Sequence, residues 1–484
     1  MNEKVSIKKN YIYNVAYQVL NLLAPLVTTP YISRVLGVEG VGEYSYTSSV
    51  VTYFITLAIL GSTPYAQREV SYLREDKEKY SILFWEIVVF RGITVLISCL
   101  LFSIVIILSE PEIRIIYMIQ GLNIVAVAFD ISWFFQGLEE FKKIVIRNVF
   151  IKILNILLIF ILVKQETDIW KYVLIIAGLT VVGNIVIWGG IKRYINKVSI
   201  KSINIKQHLI GILQLFLPTI AVSIYRALDK TMIGLVTTTT TENGYYEQAD
   251  KIIQMCIVVT TSLSTVMAPR IALTLSKKDN AMLKKYMYKT FDFLLLISLP
   301  MAMGIIVVSD MIVPWFFGSG YEKVGLIIKI FSPLMVVVTF SNAIGMQYLI
   351  QARKQKIYTI SICTGAIVNF IINLVLIPRL YSIGAAVASV VAESAILIVQ
   401  MWYVCNKKQI LDIKGIFSKF PIYMGMSTVM FVILMIIKRF MAPNFVSSFC
   451  IVIIGISIYT YGLWIVKDEW ILKIVIMLSQ KIKK

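Results

Sequence analysis

The chain has 484 residues, of which 58% are hydrophobic and 15% are charged, and its mean hydropathy is +0.80. A soluble chain of this length would need many more polar residues to cover its surface, so the composition excludes a soluble globular protein. The formal net charge of +20 would suit nucleic acid, but the lysines and arginines lie in short clusters between apolar runs. That distribution is typical of the topology determinants of a membrane protein, so nucleic acid is not an expected partner.

Apolar runs long enough to cross a bilayer as helices recur along the whole chain. They are continuous, unlike the short alternating segments of an outer-membrane barrel, and therefore predict helices rather than strands. The expected fold is an all-α membrane protein with about fourteen transmembrane helices. In chain order, the spans are expected near 11–35, 43–66, 83–108, 113–136, 144–163, 169–191, 209–236, 245–269, 288–309, 324–350, 357–378, 380–404, 419–438 and 444–466.

Basic clusters alternate along the chain with connections that carry few cations. They follow every second span and also occupy both ends of the chain, the last of them at Lys481–Lys484. The positive-inside rule therefore predicts a multi-pass protein of a bacterial plasma (inner) membrane with both termini in the cytoplasm. The connection with Lys438 and Arg439 breaks the alternation, because an even number of spans places it outside.

Two parts of the sequence carry similar short motifs in the same order. Tyr44 opens span 2 and Arg68 closes it, and Tyr246 and Arg270 stand at the same separation in span 8. Both copies begin with an odd-numbered span, so they share one orientation, which predicts a parallel repeat with a site between the halves. The expected organisation is an N-lobe at 1–191 with spans 1–6, a cytoplasmic linker at 192–208, a C-lobe at 209–405 with spans 7–12, and a C-terminal part at 406–484 with spans 13–14 and a basic tail.

Signatures of catalysis are missing from the sequence. No G-x-x-x-x-G-K-[ST] phosphate loop occurs, and the five cysteines have neither metal-site nor disulfide spacing. The single histidine, His208, falls in the linker and is expected to be an exposed residue there. No extramembrane loop is long enough to house a catalytic site, so neither an enzyme nor a metal or other cofactor is expected.

Ionisable side chains inside membrane spans are costly enough to be hypotheses for functional sites. Arg91 and Lys152 lie well inside spans 3 and 5, and Arg226, Asp229 and Lys230 share one face of span 7. Cations outnumber acids among these residues, which favours an anionic substrate such as a phosphate. The candidate substrate-binding cations are therefore Arg91, Lys152, Arg226, Lys230, Arg34, Arg68 and Arg270, and the candidates for coupling to a proton or Na⁺ are Glu393, Asp130 and Asp229.

Each of these residues also has a structural interpretation. Arg34, Arg68 and Arg270 lie close enough to span ends to extend their charges to the membrane surface. Arg91 and Lys152 could instead bond a carbonyl of a neighbouring helix. The alternatives for the remaining groups are an Arg226–Asp229 ion pair, an Asp130–Arg147 pair, and neutralisation of one buried cation by Glu393.

Three stretches resemble a known transporter family. They are Tyr31-Ile32-Ser33-Arg34-Val35-Leu36-Gly37 followed by Gly40, Gly42 and Tyr44; Asp130-Ile131-Ser132-Trp133-Phe134-Phe135-Gln136-Gly137; and Gly244-Tyr245-Tyr246 followed by Ala249-Asp250-Lys251. They look like the Wzx-type polysaccharide repeat-unit flippases of the multidrug/oligosaccharidyl-lipid/polysaccharide exporter superfamily. The resemblance covers the whole chain in span order.

This resemblance implies two six-helix lobes around a central cavity, two extra C-terminal helices, and alternating access. The implied partners are a polyprenyl-pyrophosphate-linked oligosaccharide, the membrane lipid, and the polysaccharide polymerase and chain-length machinery. The substrate would move to the outer leaflet for synthesis of capsule, exopolysaccharide or O-antigen. A lipid II flippase or multidrug exporter of the same superfamily is an alternative, and a membrane polysaccharide polymerase or ligase is an alternative of another class. The cationic balance disfavours a drug exporter, and the short loops disfavour the enzyme.

Overall fold

In this computed structural model, residues 7–407 and 411–473 are described, with their side chains except at 7–19, 21, 22, 200, 217–219, 221, 222, 262–266, 269 and 407. Helices and their connections account for all of these residues, and no strand occurs among them. The predicted all-α membrane fold is confirmed. The chain divides into two compact units, Met1–Gly244 and Tyr245–Lys484.

The first unit contains eight numbered α-helices and the start of a ninth. The helices are α1 (Ile7–Ile59), α2 (Ser62–Tyr72), α3 (Lys77–Leu108), α4 (Pro111–Phe129), α5 (Ser132–Gly137), α6 (Phe141–Leu162), α7 (Ile169–Val186), α8 (Leu209–Val236) and the beginning of α9 (Thr241–Ser276). Local sequence sets several of these boundaries. The Asp76 side chain accepts a hydrogen bond from the Lys79 amide at 3.1 Å and caps α3, and Pro111 occupies the first turn of α4.

The second unit is built from the rest of α9 and from eight further α-helices. These are α10 (Asn280–Phe316), α11 (Glu322–Phe331), α12 (Leu334–Asn342), α13 (Gln355–Leu380), α14 (Ser382–Trp402), α15 (Ile413–Ile416), α16 (Phe420–Lys438) and α17 (Phe445–Ile465), with a π-helix at Ala343–Leu349. Asp279 and Asn444 cap α10 and α17 by accepting from backbone amides at 2.9 and 2.8 Å.

Within the described residues, ten helices are long and apolar enough to cross a membrane, or eleven if the bent pair Glu322–Phe331 and Leu334–Leu349 is one span. The exact count of fourteen stays a prediction. The first predicted span and most of the second lie in one long helix, α1, which kinks at Gly37, where φ is +66°. Glycine suits this position because residues with a side chain rarely adopt such a backbone conformation.

The helix α8 packs along α1 within the first unit. The Thr231 hydroxyl of α8 lies 2.9 Å from the Ser49 hydroxyl of α1. The Tyr53 hydroxyl of α1 donates to the same Thr231 hydroxyl at 3.1 Å. The boundary between the two compact units therefore lies on the C-terminal side of α8, whereas the predicted boundary between the lobes lies on its N-terminal side. Compactness and internal repetition are different criteria, so the predicted lobes at 1–191 and 209–405 stay a prediction.

The predicted linker, 192–208, lies along the first turns of α3. The Tyr80 hydroxyl donates to the Tyr194 carbonyl at 3.0 Å, and the Asn196 amide donates to the Ser81 hydroxyl at 2.9 Å. At the end of the linker, His208 is only 8% exposed. The expectation of an exposed histidine is wrong, because folding the linker against α3 buries its ring.

Lys438, the cation that breaks the predicted charge alternation, pairs with a carboxylate of the second unit. Lys438, at the end of α16, donates to Asp310 of α10 at 2.7 Å, and Lys329 of α11 reaches the other oxygen of the same carboxylate at 2.6 Å. The charge of Lys438 is thus paired with a carboxylate of the same unit.

Candidate substrate-binding site

Arg91 is a buried cation that holds three helices of the first unit together. Its side chain is 1% exposed. Nε donates to the Ser62 hydroxyl at 2.9 Å, Nη2 to the Thr63 hydroxyl at 2.5 Å, and Nη1 to the Asp130 carbonyl oxygen at 2.7 Å. The Trp133 ring lies against the guanidinium, 5.7 Å from its carbon to the ring centroid. The alternative interpretation from the sequence, a bond to a carbonyl of another helix, is the one that the structure shows.

The partners of Arg91 stand at two places where a predicted span is broken. Between α1 and α2, Leu60 and Gly61 both have positive φ, at 47° and 79°. Between α4 and α5, the Asp130 carbonyl also accepts a hydrogen bond from the Trp133 indole at 3.0 Å. A helix break leaves backbone groups and short polar side chains without helical partners. The guanidinium of Arg91 donates to two hydroxyls at the first break and to a backbone carbonyl at the second.

Asp130 is partly buried and lies beside this clamp. One carboxylate oxygen is 3.7 Å from Arg91 Nη1, and the other accepts the Ser132 amide at 2.9 Å. Arg147, which the sequence offered as a partner of Asp130, donates to Asn184 at 2.9 Å and to the Ser132 hydroxyl at 3.1 Å. The carboxylate of Asp130 is therefore engaged in holding the start of α5.

Lys152 lies at the middle of α6 and is partly buried. Among the residues that the structure describes, none forms a hydrogen bond or ion pair with its ammonium group. Asn148 and Asn155 precede and follow it on the same helix face. Lys152 thus differs from Arg91, because its charge is inside a span without a partner that would fix it.

The three charged residues of α8 have different surroundings. Arg226 is exposed, and it makes no ion pair with Asp229 or any other described residue. Asp229 is 5% exposed. Lys230 is partly buried, and its main-chain carbonyl accepts from the Asn243 side chain at 2.6 Å. The helix α1 contacts both α6 and α8, so Lys152 and Arg226 belong to helices that flank the same neighbour.

The remaining candidates belong to other helices. Arg34, Arg68 and Arg270 are exposed on α1, α2 and α9. Arg68 pairs with Glu69 at 2.9 Å. Glu393 is partly buried on α14, in the second unit.

A buried polar network between the linker and α3 was not predicted from the sequence. Glu86 is 2% exposed, and its carboxylate accepts the Asn204 amide at 2.8 Å and the Gln207 side chain at 2.9 Å. His208 Nε2 lies 2.8 Å from the second oxygen of Glu86, and its Nδ1 lies 2.8 Å from the Tyr65 hydroxyl. A cleft of about 360 Å³ opens beside this network. In the sequence, the one sign of this network is the carboxylate of Glu86 inside the apolar run of span 3.

Residues 7–275 match the family described as Polysaccharide biosynthesis protein. The chain belongs to this family.

The match with the polysaccharide biosynthesis protein family extends from α1 almost to the end of α9. It includes the Arg91 clamp, Lys152, the charged face of α8 and Arg270. Glu393 and the helices α10–α17 lie beyond it.

Two curated relatives carry the same name. A protein of Escherichia coli (strain K12) named "Putative O-antigen transporter" is 24% identical over 413 residues, which cover 84% of this chain and 98% of the relative. A protein of Shigella dysenteriae with that name is 24% identical over 386 residues, covering 78% of this chain and 94% of the relative.

Solved structures show the same fold. The inward closed conformation of the lipid II flippase MurJ superposes with a TM-score of 0.74 at 16% identity, covering 96% of this chain and 99% of that chain. An inward-facing multidrug resistance MATE family transporter of the MOP superfamily gives a TM-score of 0.65 at 14% identity, covering 81% and 94%. At these identities the likeness concerns the fold, and the substrate has to be argued from the site.

Proposed function

We propose that this protein is a flippase that moves a polyprenyl-pyrophosphate-linked oligosaccharide across the bacterial plasma membrane, with both termini in the cytoplasm. The observation that carries the proposal is the near full-length similarity to the two O-antigen transporters, together with membership in the polysaccharide biosynthesis protein family. The surface polysaccharide to which the substrate contributes would be O-antigen, capsule or exopolysaccharide.

Lys152 and Arg226 are the cations that best suit the pyrophosphate. Insertion of a lysine at the centre of a span costs about 2.5–3.5 kcal/mol, so such a residue should face water or bind an anion. Neither side chain forms an ion pair with a described residue, and both are on helices that contact α1. Each could therefore bind a phosphate oxygen without first breaking an internal ion pair.

Arg91 has another role in this proposal. Its guanidinium already donates to three acceptors inside the first unit, so it would act on transport by positioning α2 and α5. Arg34, Arg68, Lys230 and Arg270 remain proposed contacts of the headgroup, and Glu393, Asp130 and Asp229 remain proposed sites of ion coupling.

The test is complementation of a bacterial strain that lacks its own repeat-unit flippase, with surface polysaccharide measured on whole cells. A charge-assisted bond to phosphate contributes about 1.5–3 kcal/mol, so Lys152→Ala and Arg226→Ala should each lower export about tenfold or more at normal protein levels. Lys277→Ala, which removes an exposed cation after α9, is the matched control and should export like the wild type.

The same variants should be compared in vesicles loaded with a lipid-linked O-antigen unit or with lipid II. Selective flipping of the O-antigen unit supports the proposal. Flipping of lipid II alone would replace the proposed substrate, and full export by both well-expressed variants would remove Lys152 and Arg226 from the site.

A further inference from the structure

The linker at 192–208 presents cations that the proposed function does not use. Its five lysines and arginines are all exposed, and they are Lys192, Arg193, Lys197, Lys201 and Lys206. The sequence has no acidic residue between Asp168 and Asp229. The charge of the linker is therefore positive along its whole length.

The backbone that carries these cations is bonded to the rest of the first unit. In addition to the bond between its Asn196 amide and Ser81, the linker accepts a hydrogen bond from Lys77 Nζ at the Arg193 carbonyl, at 3.1 Å. The side chain of Ile195 is buried in the hydrophobic core that α3 and α5 share. The linker thus places its apolar side chain inside the unit and its charges outside it.

The start of α6 joins the linker and extends its positive surface. Lys143 Nζ lies 4.2 Å from the centroid of the Tyr194 ring and 5.1 Å from that of Phe135, which is the geometry of a cation–π contact. The preceding residue, Lys142, is exposed. We call the cations joined by these contacts the basic patch, and they are Lys77, Lys142, Lys143, Lys192, Arg193 and Lys197.

The acids close to the basic patch in sequence do not cancel its charge. Two of them form ion pairs of 2.9 Å with cations outside the patch, Asp76 with Lys79 and Glu139 with Arg74. The other three are Glu75, Glu78 and Glu140. They are half as many as the cations of the patch, so its net charge is positive and its partner should be an anion.

Exposed apolar side chains begin next to the basic patch. Ile146 lies one turn after Lys142 on the same face of α6, and Val186 at the end of α7 precedes Lys192 by six residues. Both helices are long and apolar enough to cross a membrane, and exposed apolar side chains on such helices contact lipid chains. Cations directly beside them therefore lie at the level of the lipid headgroups.

We infer that the basic patch binds the headgroups of anionic phospholipids in the surrounding membrane. The positive-inside rule accounts for cations near span ends, but not for a backbone that is hydrogen-bonded in place beneath them. Cations on a fixed backbone lose less conformational freedom when they bind a phosphate, and the Arg193 guanidinium can bond two phosphate oxygens at once. The apolar surface beside the patch favours a lipid over a soluble polyanion such as nucleic acid.

Lipid binding can be measured on the purified full-length protein in an uncharged detergent, independently of transport. Bound lipids are counted by native mass spectrometry, and the midpoint of thermal unfolding is followed as phosphatidylglycerol or phosphatidylcholine is added. A ligand that binds only the folded state raises its stability with saturation, so phosphatidylglycerol should raise the midpoint at lower concentration than phosphatidylcholine. The triple variant Lys192→Gln/Arg193→Gln/Lys197→Gln should bind phosphatidylglycerol at least tenfold more weakly, because each cation near an anionic headgroup adds to the attraction.

Two further variants separate the arrangement of the cations from their number. Ser81→Ala changes no charge but removes the acceptor of the linker amide at Asn196, so it should weaken phosphatidylglycerol binding severalfold. The matched control removes three exposed cations near the connection between α9 and α10, in the variant Lys277→Gln/Lys278→Gln/Lys285→Gln. This control should bind phosphatidylglycerol like the wild type.

The inference is overturned if the wild type binds the two lipids equally well, or if both triple variants lose phosphatidylglycerol to the same extent. In the second case the total charge alone would attract the lipid. Binding by Ser81→Ala at the wild-type level would show that the hydrogen-bonded backbone is not needed and would overturn the fixed arrangement. If the linker triple variant does not fold, the single variants Lys192→Gln and Lys197→Gln, each measured against Lys277→Gln, decide the question.

Discussion

Replacing Arg91 by alanine should lower the unfolding free energy of the first unit, in addition to any effect on substrate binding. The substitution removes donors to Ser62, Thr63 and the Asp130 carbonyl and leaves the nearby Asp130 carboxylate without its cation. The Asp130 carbonyl keeps the bond from Trp133, so the loss is smaller than three full bonds. Each buried acceptor left without its donor costs about 1–3 kcal/mol, and the Asp130 carboxylate adds little because it is partly exposed, so we expect a total loss of about 3–5 kcal/mol.

That cost is large beside the total stability of a folded domain, about 5–15 kcal/mol. The assay is a chemical unfolding curve of the purified protein in detergent. It is recorded beside that of Lys152→Ala, which removes a cation that bonds none of the residues in the described ranges. Arg91→Ala should lower the unfolding free energy and the amount of folded protein in membranes, and Lys152→Ala should lower neither. Arg91→Lys should recover roughly half, because an ammonium cannot reach acceptors in three directions as a planar guanidinium does.

The reasoning would be refuted by an Arg91→Ala protein that unfolds like the wild type but fails to export polysaccharide. In that case the guanidinium would act on the substrate, as the sequence predicted, and its three bonds would contribute little to folding. A protein that is both unstable and inactive supports the positioning role only if Arg91→Lys restores stability and export together.

Two further predictions concern packing and charge. Gly42→Ala should destabilise the first unit by about 1–3 kcal/mol or more, because a Cβ there would lie 1.8 Å from the Thr240 carbonyl oxygen. The control Gly178→Ala has nothing within 4 Å of the added carbon and should be stabilising or neutral in the same chemical unfolding measurement. A double-mutant cycle of Asp310→Asn and Lys438→Ala should give a coupling energy of about 1 kcal/mol or less, because both charges are partly exposed. Zero coupling would show that this ion pair does not stabilise the second unit.

Hydrophobic patterning predicted the helices well where one apolar run forms one helix. The seventh predicted span, 209–236, coincides with α8 (Leu209–Val236), because the run is bounded by polar residues at both ends. Patterning failed at the breaks after Ile59 and Phe129. The predicted spans run on past these breaks although polar residues, Gly61-Ser62-Thr63 and Asp130, stand there. Arg91 of another helix donates to hydroxyls at the first break and to the Asp130 carbonyl at the second.

The sequence predicted which residues of the candidate site carry charge, but not which groups surround and bond them. The sequence identified Arg91 and Lys152 as buried cations of equal interest. Among the described residues Arg91 has acceptors and Lys152 has none, and the acceptors of Arg91 are 28 to 39 residues away along the chain. His208 was misjudged for the same reason, since Glu86 and Tyr65 are 122 and 143 residues distant. Partners this remote are set by tertiary packing, which no local pattern encodes.

The hydrogen bonds between the linker, 192–208, and α3 affect where this protein can be divided into fragments or joined to a reporter. A basic connection between two repeats is the usual place for a cut or a fluorescent insertion, because such segments tolerate change. Here a cut at 192–208 would break the hydrogen bonds to Glu86 and separate α8 from the α1 surface on which it packs. A division after Gly244 would keep each compact unit whole, so complementing fragments should be designed around that point.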